Sequence, residues 1–165
     1  MIRWLALPVL ILVFQLQVST TWASPLFQNL ESAQSETIED HQVTGKWLIV
    51  MLWASDCVAC NKEASEYVDF HLRHREHDAI MLGISLDGQA RINEAKDFVQ
   101  RHEVVFSNLL AEWDSLADHY EQLTQTPWIG TPSFLVFGPD GNLEAKQTGA
   151  VPVDIIEMFL DQYGS

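Results

Sequence analysis

An uninterrupted apolar run, Trp47–Trp53, stands just before a short polar break and an amphipathic segment. Seven consecutive apolar residues predict a strand that is covered on both faces, because a strand with one wet face would alternate apolar and polar side chains. After the break, Ala64, Tyr67, Val68 and Leu72 recur at helical spacing with charged residues between them. A buried strand that leads directly into a helix predicts an α/β fold.

The rest of the chain continues this alternation of strands and helices. The cluster Pro139-Asp140-Gly141-Asn142 supplies the fixed and positive φ values that a hairpin turn needs. The other predicted elements are strands over 79–86, 104–110, 133–137 and 143–148, and helices around 95–102, 113–123 and 155–163. The resulting order, β-α-β-α-β-α-β-β-α, predicts a mixed central sheet flanked by helices.

The first residues have the pattern of a targeting segment. One basic residue, Arg3, precedes the apolar run Trp4–Phe14, and a small residue, Ala23, precedes Ser24. This pattern predicts a secretory signal peptide cleaved after Ala23, with an uncleaved membrane anchor as the alternative. The predicted organisation is a signal peptide over 1–23, an N-terminal lead-in over 24–45 and one domain over 46–165. In either case we expect the domain to be exported.

The charge balance limits the classes of partner. Nine Lys and Arg residues stand against 23 Asp and Glu residues, which gives a formal charge of −14. Nucleic acids and anionic membrane surfaces would repel such a chain at long range, so we expect neither as a partner. The apolar fraction of 47% is enough for a buried core.

The two cysteines of the chain, Cys57 and Cys60, form a Cys-Val-Ala-Cys motif between the first strand and the first helix. The N-terminus of a helix favours a nearby thiolate, so Cys57 could attack a substrate disulfide and Cys60 could resolve the mixed disulfide. A zinc site and a structural disulfide remain open as other uses of the pair. A zinc site needs about four ligands, and the chain has no second Cys pair. A structural disulfide across so small a loop adds little stability.

Residues 45–60 read GKWLIVMLWASDCVAC, and residues 128–136 read WIGTPSFLV. Both segments resemble the thioredoxin superfamily, and within it the exported TlpA/ResA/DsbE-like branch. The resemblance covers about Gly45 to the C-terminus and implies a thioredoxin fold, in which the strand and helix material over 104–123 matches the larger middle section of this branch. It also implies that the Thr131-Pro132 bond is cis and faces the cysteine pair.

The same resemblance implies how a substrate binds. The cis-proline segment, Thr131 and Pro132, would offer a short exposed edge to which an extended peptide can pair. Trp53 and Trp128 would supply apolar walls for this groove, with simple core packing as the alternative for both side chains.

Departures from the family pattern bear on proton transfer and on redox potential. Met51 occupies the position where thioredoxins have a buried carboxylate, so Glu63, three residues after Cys60, becomes the candidate for proton transfer, with a solvated helix residue as the alternative. Asp56 stands where the family commonly has Trp. Because Asp56 and Glu63 both disfavour a thiolate, we expect a disulfide reductase.

The resemblance also implies partners and a location. In a periplasmic setting the pair would receive electrons from a membrane thiol protein and pass them to exported proteins with disulfides, such as apocytochrome c. No cofactor is expected, because the cysteines themselves carry the electrons.

Three alternatives remain open. The first is a peroxidase of the peroxiredoxin type. Peroxiredoxins carry a proline seven residues and a Thr or Ser three residues before the reactive Cys, whereas this chain has Val50 and Ala54 at these positions. The second alternative is a redox-inert or metal-handling binding module, although copper-handling relatives carry a CxxxC motif and this chain has CxxC. The third is metal binding by His71, His74 and His77, which lie at three-residue spacing. The charged residues next to them favour a solvent-exposed helix face instead.

Overall fold

A single seven-stranded sheet forms the centre of the computed structural model, which describes residues 27–164. The predicted signal peptide over 1–23 lies outside the described residues. The strands are β1 (Phe27–Asn29), β2 (Ser35–Glu36), β3 (Trp47–Trp53), β4 (Ala79–Ser85), β5 (Asn108–Leu110), β6 (Ser133–Phe137) and β7 (Leu143–Thr148). Their order across the sheet is β2-β1-β5-β4-β3-β6-β7. Strand β3 therefore lies inside the sheet, with β4 parallel on one side and β6 antiparallel on the other.

Within residues 27–164, four α-helices cover the two faces of this sheet. They are α1 (Val58–His74), α2 (Ile92–Arg101), α3 (Trp113–Thr124) and α4 (Val153–Tyr163). In β3, Ile49, Met51 and Trp53 belong to one buried cluster and the alternate residues, such as Val50 and Leu52, belong to the other. The first cluster contains side chains of α1, α2 and α4, and the second contains side chains of α3. The continuous apolar run is thus explained by burial on both faces.

The predicted order of elements and the mixed sheet between helices are confirmed, and β3, β6 and β7 have the predicted bounds. The strand predicted over 104–110 is shorter and includes only Asn108–Leu110. Glu103 has a positive φ of 51°, and the chain turns back there so that the Val104 amide donates to the Val99 carbonyl. Val104 and Phe106 pack on the core from this turn without joining the sheet.

The segment predicted as a lead-in over 24–45 contributes to the same sheet. Strand β1 pairs antiparallel with β5, and β2 pairs with β1 at the edge. Phe27 and Ile38 are both buried in the cluster under α3. Among residues 27–164 no helix has both the length and the apolar character needed to cross a membrane.

The register between β3 and β6 determines what lies at one edge of the sheet. Leu52, near the end of β3, pairs with Ser133, the first residue of β6. The loop that follows β3 and the loop that precedes β6 therefore meet at the same edge. Because β3 and β4 are parallel, the loop that follows β4 begins at this edge as well.

Candidate active site

The two cysteines form a disulfide at the N-terminus of α1, with 5.2 Å between their Cα atoms. Cys57 is the N-cap residue of this helix, and its Sγ accepts a hydrogen bond of 3.1 Å from the Cys60 amide. Cys60 is fully buried, whereas Cys57 is partly exposed and the next residue, Val58, is 84% exposed. The positive end of the helix dipole stabilises a thiolate at the position of Cys57. Of the two sulfurs, that of Cys57 is the one that a partner can reach.

The Thr131-Pro132 peptide bond is cis, as the resemblance implies. It directly precedes β6, at the edge of the sheet where the loop with Cys57 begins. Pro132 is buried and its carbonyl accepts a hydrogen bond of 2.8 Å from the Gly149 amide, whereas Thr131 is partly exposed. Thr131 is thus the member of this pair with surface available to a substrate.

Trp128 supports the cis-proline loop from beneath. Its side chain is buried, and its Nε1 donates a hydrogen bond of 3.1 Å to the Ser133 hydroxyl, which itself donates to the Gly130 carbonyl. Trp128 therefore packs in the core, which is the alternative to a wall of the substrate groove. The next residue, Ile129, is 77% exposed and supplies apolar surface beside the loop.

Trp53 likewise packs in the core, which is the alternative to a wall of the substrate groove. Its side chain is 1% exposed and stacks on Phe98 of α2, with 4.1 Å between ring centroids. Its Nε1 donates a hydrogen bond of 3.0 Å to Asn108 Oδ1 on β5. A buried indole requires such an acceptor for its N–H group, and this bond ties the end of β3 to β5.

Glu63, the candidate for proton transfer, lies one turn after Cys60 and is partly buried. Its Oε2 accepts a hydrogen bond of 3.0 Å from the Tyr67 hydroxyl, which also lies 3.0 Å from the Val151 carbonyl oxygen. Burial raises the pKa of Tyr67, and the hydrogen bond to Glu63 raises it further, so the phenol remains protonated and donates. Glu63 is thus held by a partner on the same helix, next to the turn that contains Cys60.

Asp56, the second residue expected to affect the redox potential, is paired with a cation that the sequence analysis did not include. Its Oδ2 accepts a hydrogen bond of 2.9 Å from Arg91 Nη1, and this bond raises the pKa of Arg91. Arg91 Nη2 also donates to the Ser55 hydroxyl, at 3.0 Å. One guanidinium group therefore contacts both residues that precede Cys57.

A buried carboxylate, Asp87, lies behind this contact. It accepts hydrogen bonds from the Ser55 amide, the Ser55 hydroxyl and the Ser85 hydroxyl, at 2.9, 2.7 and 2.8 Å. Arg91 Nη2 lies 3.5 Å from Asp87 Oδ1. The parallel pairing of β3 and β4 could have indicated Asp87, because it follows β4 at the edge where Cys57 follows β3.

Asn61 holds the same loop from the first turn of α1. Its Nδ2 donates to the carbonyls of Ser55 and Cys57, both at 2.9 Å. Its Oδ1 accepts from Arg101 Nη2 and from His102 Nε2, also at 2.9 Å each. His102 therefore carries its proton on Nε2, and burial lowers its pKa. No pattern in the sequence singles out Asn61.

The three histidines near the end of α1 do not form a common site. His71 is buried and its Nδ1 accepts a hydrogen bond of 3.1 Å from the Met81 amide. His74 lies between two carboxylates, with Nδ1 at 2.8 Å from Asp78 and Nε2 at 3.3 Å from Glu157. Within residues 27–164 no group of three or more His, Cys, Asp or Glu side chains is arranged to hold a metal ion.

The sheet order, the disulfide-bonded cysteine pair at the start of the first long helix and the cis-proline at the same edge of the sheet together define a protein of the thioredoxin superfamily. Residues 23–146 match the AhpC/TSA family, and the chain belongs to that family. The predicted membership of the thioredoxin superfamily, with likeness to its TlpA/ResA-like branch, is thereby confirmed.

Two relatives and two solved structures illustrate the likeness. The thiol-disulfide oxidoreductase ResA of Oceanobacillus iheyensis is 23% identical over 137 residues, which are 82% of this chain and 67% of ResA. Peroxiredoxin Bcp of Bacillus subtilis is 26% identical over 93 residues, 56% of this chain and 57% of Bcp. A thioredoxin family thiol:disulfide interchange protein from Chlorobium tepidum has a TM-score of 0.70 at 16% identity, covering 86% of this chain and 95% of its own. StoA from Bacillus subtilis has a TM-score of 0.62 at 19% identity, covering 81% and 93%. Both structures have the predicted thioredoxin fold.

Proposed function

We propose that the protein is an exported thiol–disulfide oxidoreductase that reduces disulfides of other proteins through Cys57 and Cys60. The observation that supports this most directly is the difference in exposure between the two sulfur-bearing residues. Cys57 is partly exposed at the N-cap of α1 and Cys60 is fully buried one turn later. Attack requires an accessible thiolate, whereas resolution requires a second thiol that meets only the mixed disulfide.

The exchange balances without a cofactor. The Cys57 thiolate attacks one sulfur of the substrate disulfide, so that a Cys57–substrate bond forms and the other substrate sulfur leaves as a thiolate. Cys60 then loses its proton and attacks Cys57 Sγ, which closes the Cys57–Cys60 disulfide and releases the second substrate sulfur. The substrate gains two electrons and two protons. A membrane thiol protein that reduces the pair again completes the cycle.

Glu63 is proposed to accept the proton of Cys60 during resolution. Its position three residues after Cys60 puts it on the same face of α1, and the Tyr67 hydroxyl orients its carboxylate. A carboxylate in this position replaces the route that Met51 cannot provide, since a thioether does not exchange protons.

The reducing direction is proposed from the residues around the pair. The two residues between the cysteines are apolar, and the nearby Glu63 and the negative charge of the chain disfavour a thiolate. The contribution of Asp56 is smaller than its charge suggests, because Arg91 neutralises it. A redox potential for the pair as oxidising as about −120 mV would contradict this direction.

A substrate would approach the surface formed by Thr131, Ile129 and Val58. Ile129 is an exposed apolar side chain on the loop before β6, Val58 is one in the first turn of α1, and Thr131 offers backbone for pairing with an extended peptide. The substrates would be exported proteins with disulfides, with apocytochrome c as one candidate. Nucleic acid is not proposed as a partner, because the chain has a formal charge of −14.

Export is proposed from the N-terminal pattern of Arg3 and the apolar run Trp4–Phe14, with the periplasm as the location. The solved structures of similar fold include a protein from Mycobacterium tuberculosis that is described as a secreted disulfide oxidoreductase. An uncleaved N-terminal anchor would leave the domain in the same compartment.

The function is tested by reduction of insulin with a thiol donor. The wild-type protein should accelerate the reaction and Cys57→Ser should abolish it. Cys60→Ser should trap partners as mixed disulfides with Cys57, which mass spectrometry of exported proteins identifies. No turnover together with stoichiometric metal uptake would support the alternative, a redox-inert or metal-handling binding module.

A peroxidase is a second candidate, favoured by the match to the AhpC/TSA family and the likeness to peroxiredoxin Bcp. The site lacks the proline and the Thr or Ser that peroxiredoxins place before the reactive Cys, since Val50 and Ala54 occupy these positions. Consumption of hydrogen peroxide in the presence of a thiol donor distinguishes the two activities, and we expect insulin reduction to dominate.

A further inference from the structure

Arg91 joins three parts of the molecule next to Cys57. Its Nη1 donates to Asp56 at 2.9 Å, and its Nη2 donates to Ser55 at 3.0 Å and lies 3.5 Å from Asp87. Arg91 stands 34 positions after Cys57 in the sequence but is the N-cap residue of α2. The charge next to the reactive sulfur is thus set by a residue outside the CxxC motif and the cis-proline loop.

Asp87 holds this arrangement from within the protein. Its side chain has no exposed surface, and three hydrogen bonds from Ser55 and Ser85 satisfy its oxygens together with the ion pair to Arg91. A buried carboxylate is costly unless it is fully hydrogen-bonded and paired, so these contacts form or break together. Ser55 is consequently fixed both to Asp87 and to Arg91, two residues before Cys57.

The other end of α2 reaches the same loop indirectly, through Asn61 of α1. Arg101 and His102 donate to Asn61 Oδ1, and Asn61 Nδ2 donates to the carbonyls of Ser55 and Cys57. Helix α2 therefore reaches the loop before α1 at both of its ends. Only the contact at Arg91 brings a full positive charge onto the residue that directly precedes Cys57.

We propose that Arg91, oriented by the buried Asp87, is a positioning residue of the redox site: it neutralises Asp56 and fixes Ser55, and thereby maintains Cys57 as a reactive thiolate. This proposal rests on the proposed thiol–disulfide exchange and adds to it a residue that determines the reactivity of the attacking sulfur. Arg91 touches neither substrate nor sulfur in the exchange, and it acts through Asp56 and Ser55.

The sign of the effect follows from the charges around Cys57. Asp56 and Glu63 disfavour the thiolate, whereas Lys62, Arg91 and the dipole of α1 favour it. Removing the charge of Arg91 leaves Asp56 unpaired, so the thiolate fraction at a fixed pH falls. Removing the charge of Asp56 instead leaves Arg91 unpaired, so the thiolate fraction rises. Removing both charges should return it close to the wild-type value.

The test is the pH dependence of alkylation of the dithiothreitol-reduced, full-length protein by iodoacetamide, with mass spectrometry to assign the modified cysteine. We expect Arg91→Gln to lower the thiolate fraction of Cys57 near neutral pH by roughly two- to fivefold and Asp56→Asn to raise it by a similar factor. The double variant should lie near wild type. Arg91→Lys keeps the charge and should restore most of the loss.

Lys96→Gln is the matched control, because it removes the same charge from an exposed position on the same helix. Equal effects of Lys96→Gln and Arg91→Gln would overturn the proposal, as would an unchanged alkylation profile in Arg91→Gln. If Arg91→Gln fails to fold, Asp56→Asn and Arg91→Lys carry the test, and an unchanged profile in Asp56→Asn overturns it. Alkylation requires no protein substrate, so failure of the insulin assay with these shifts present would count against the proposed function and not against the role of Arg91.

Discussion

The Tyr67 hydroxyl lies 3.0 Å from Glu63 Oε2 and 3.0 Å from the Val151 carbonyl oxygen. The Val151 amide donates back to the same hydroxyl, at 3.3 Å. One phenol therefore connects the turn after Cys60 with the segment that leads into α4. A variant that removes the charge of Glu63 tests its role in proton transfer. A variant that removes the hydroxyl of Tyr67 tests how much this contact stabilises the fold.

Glu63→Gln should slow resolution of the mixed disulfide by about tenfold or more, because an amide cannot accept the Cys60 proton. The Gln oxygen can still accept the Tyr67 hydrogen bond, so the fold should be retained. Acid quenching of a single turnover with a model disulfide, followed by mass spectrometry, should show accumulation of the Cys57 adduct. Resolution at the wild-type rate would contradict a role for Glu63 in proton transfer.

Tyr67→Phe should lower the stability of the fold and have a smaller effect on resolution than Glu63→Gln. Loss of the hydroxyl leaves the Val151 amide without its acceptor, and we expect the free energy of unfolding to fall by about 1–2 kcal/mol. The carboxylate of Glu63 remains, so the resolution step should slow less than in Glu63→Gln. Urea denaturation with both probes, tryptophan fluorescence and circular dichroism, measures the change, and an unchanged midpoint would argue against the importance of this bridge.

The fold was accessible to sequence reasoning where apolar patterns are long. The run Trp47–Trp53 and the turn over 139–142 have strong local signals, and the strands they predict have the observed bounds. The strand predicted over 104–110 was too long. Val104 and Phe106 follow a turn at Glu103, and their apolar side chains pack on the core without pairing in the sheet. Periodicity does not distinguish these two uses of an apolar residue.

The site was accessible only in part. The positions of Cys57 and Cys60 follow from their spacing after a buried strand, and the cis bond at Pro132 follows from the family resemblance. Aromatic residue type alone does not distinguish a groove wall from a core residue, and the structure places both Trp53 and Trp128 in the core. Arg91 reaches Asp56 from 35 positions along the chain, and such a pair is set by packing of α2 and not by local sequence.

Gly83→Ala should be strongly destabilising. A Cβ atom at Gly83 would lie 1.9 Å from Asn108 Oδ1 and 2.8 Å from Trp53 Nε1, inside the pair that ties β3 to β5. Relief requires movement of two buried side chains, and we expect a loss of about 1–3 kcal/mol in the free energy of unfolding. Thermal denaturation measures it. A wild-type melting temperature would mean that Asn108 and Trp53 can move away from the added methyl group without cost.

His71 gives the fold a dependence on pH whose sign can be derived. Its Nδ1 accepts from the Met81 amide, so the folded state requires an unprotonated Nδ1, and burial lowers the pKa of His71 below its usual value of 6.5, with Arg75 contributing in the same direction. Between the lowered pKa and 6.5 the unfolded chain binds more protons than the folded one, so the stability of the fold falls as the pH falls through this range.

We therefore expect the free energy of unfolding to decrease from pH 7 to pH 5, and His71→Gln to make this decrease smaller. The remaining decrease is assigned to His102 and His119, whose pKa values are also lowered by burial. His77→Gln is the control, because it replaces an exposed histidine just beyond the end of α1. Urea denaturation at several pH values measures the slopes. A His71→Gln slope equal to that of wild type would mean that protonation of His71 is not linked to unfolding.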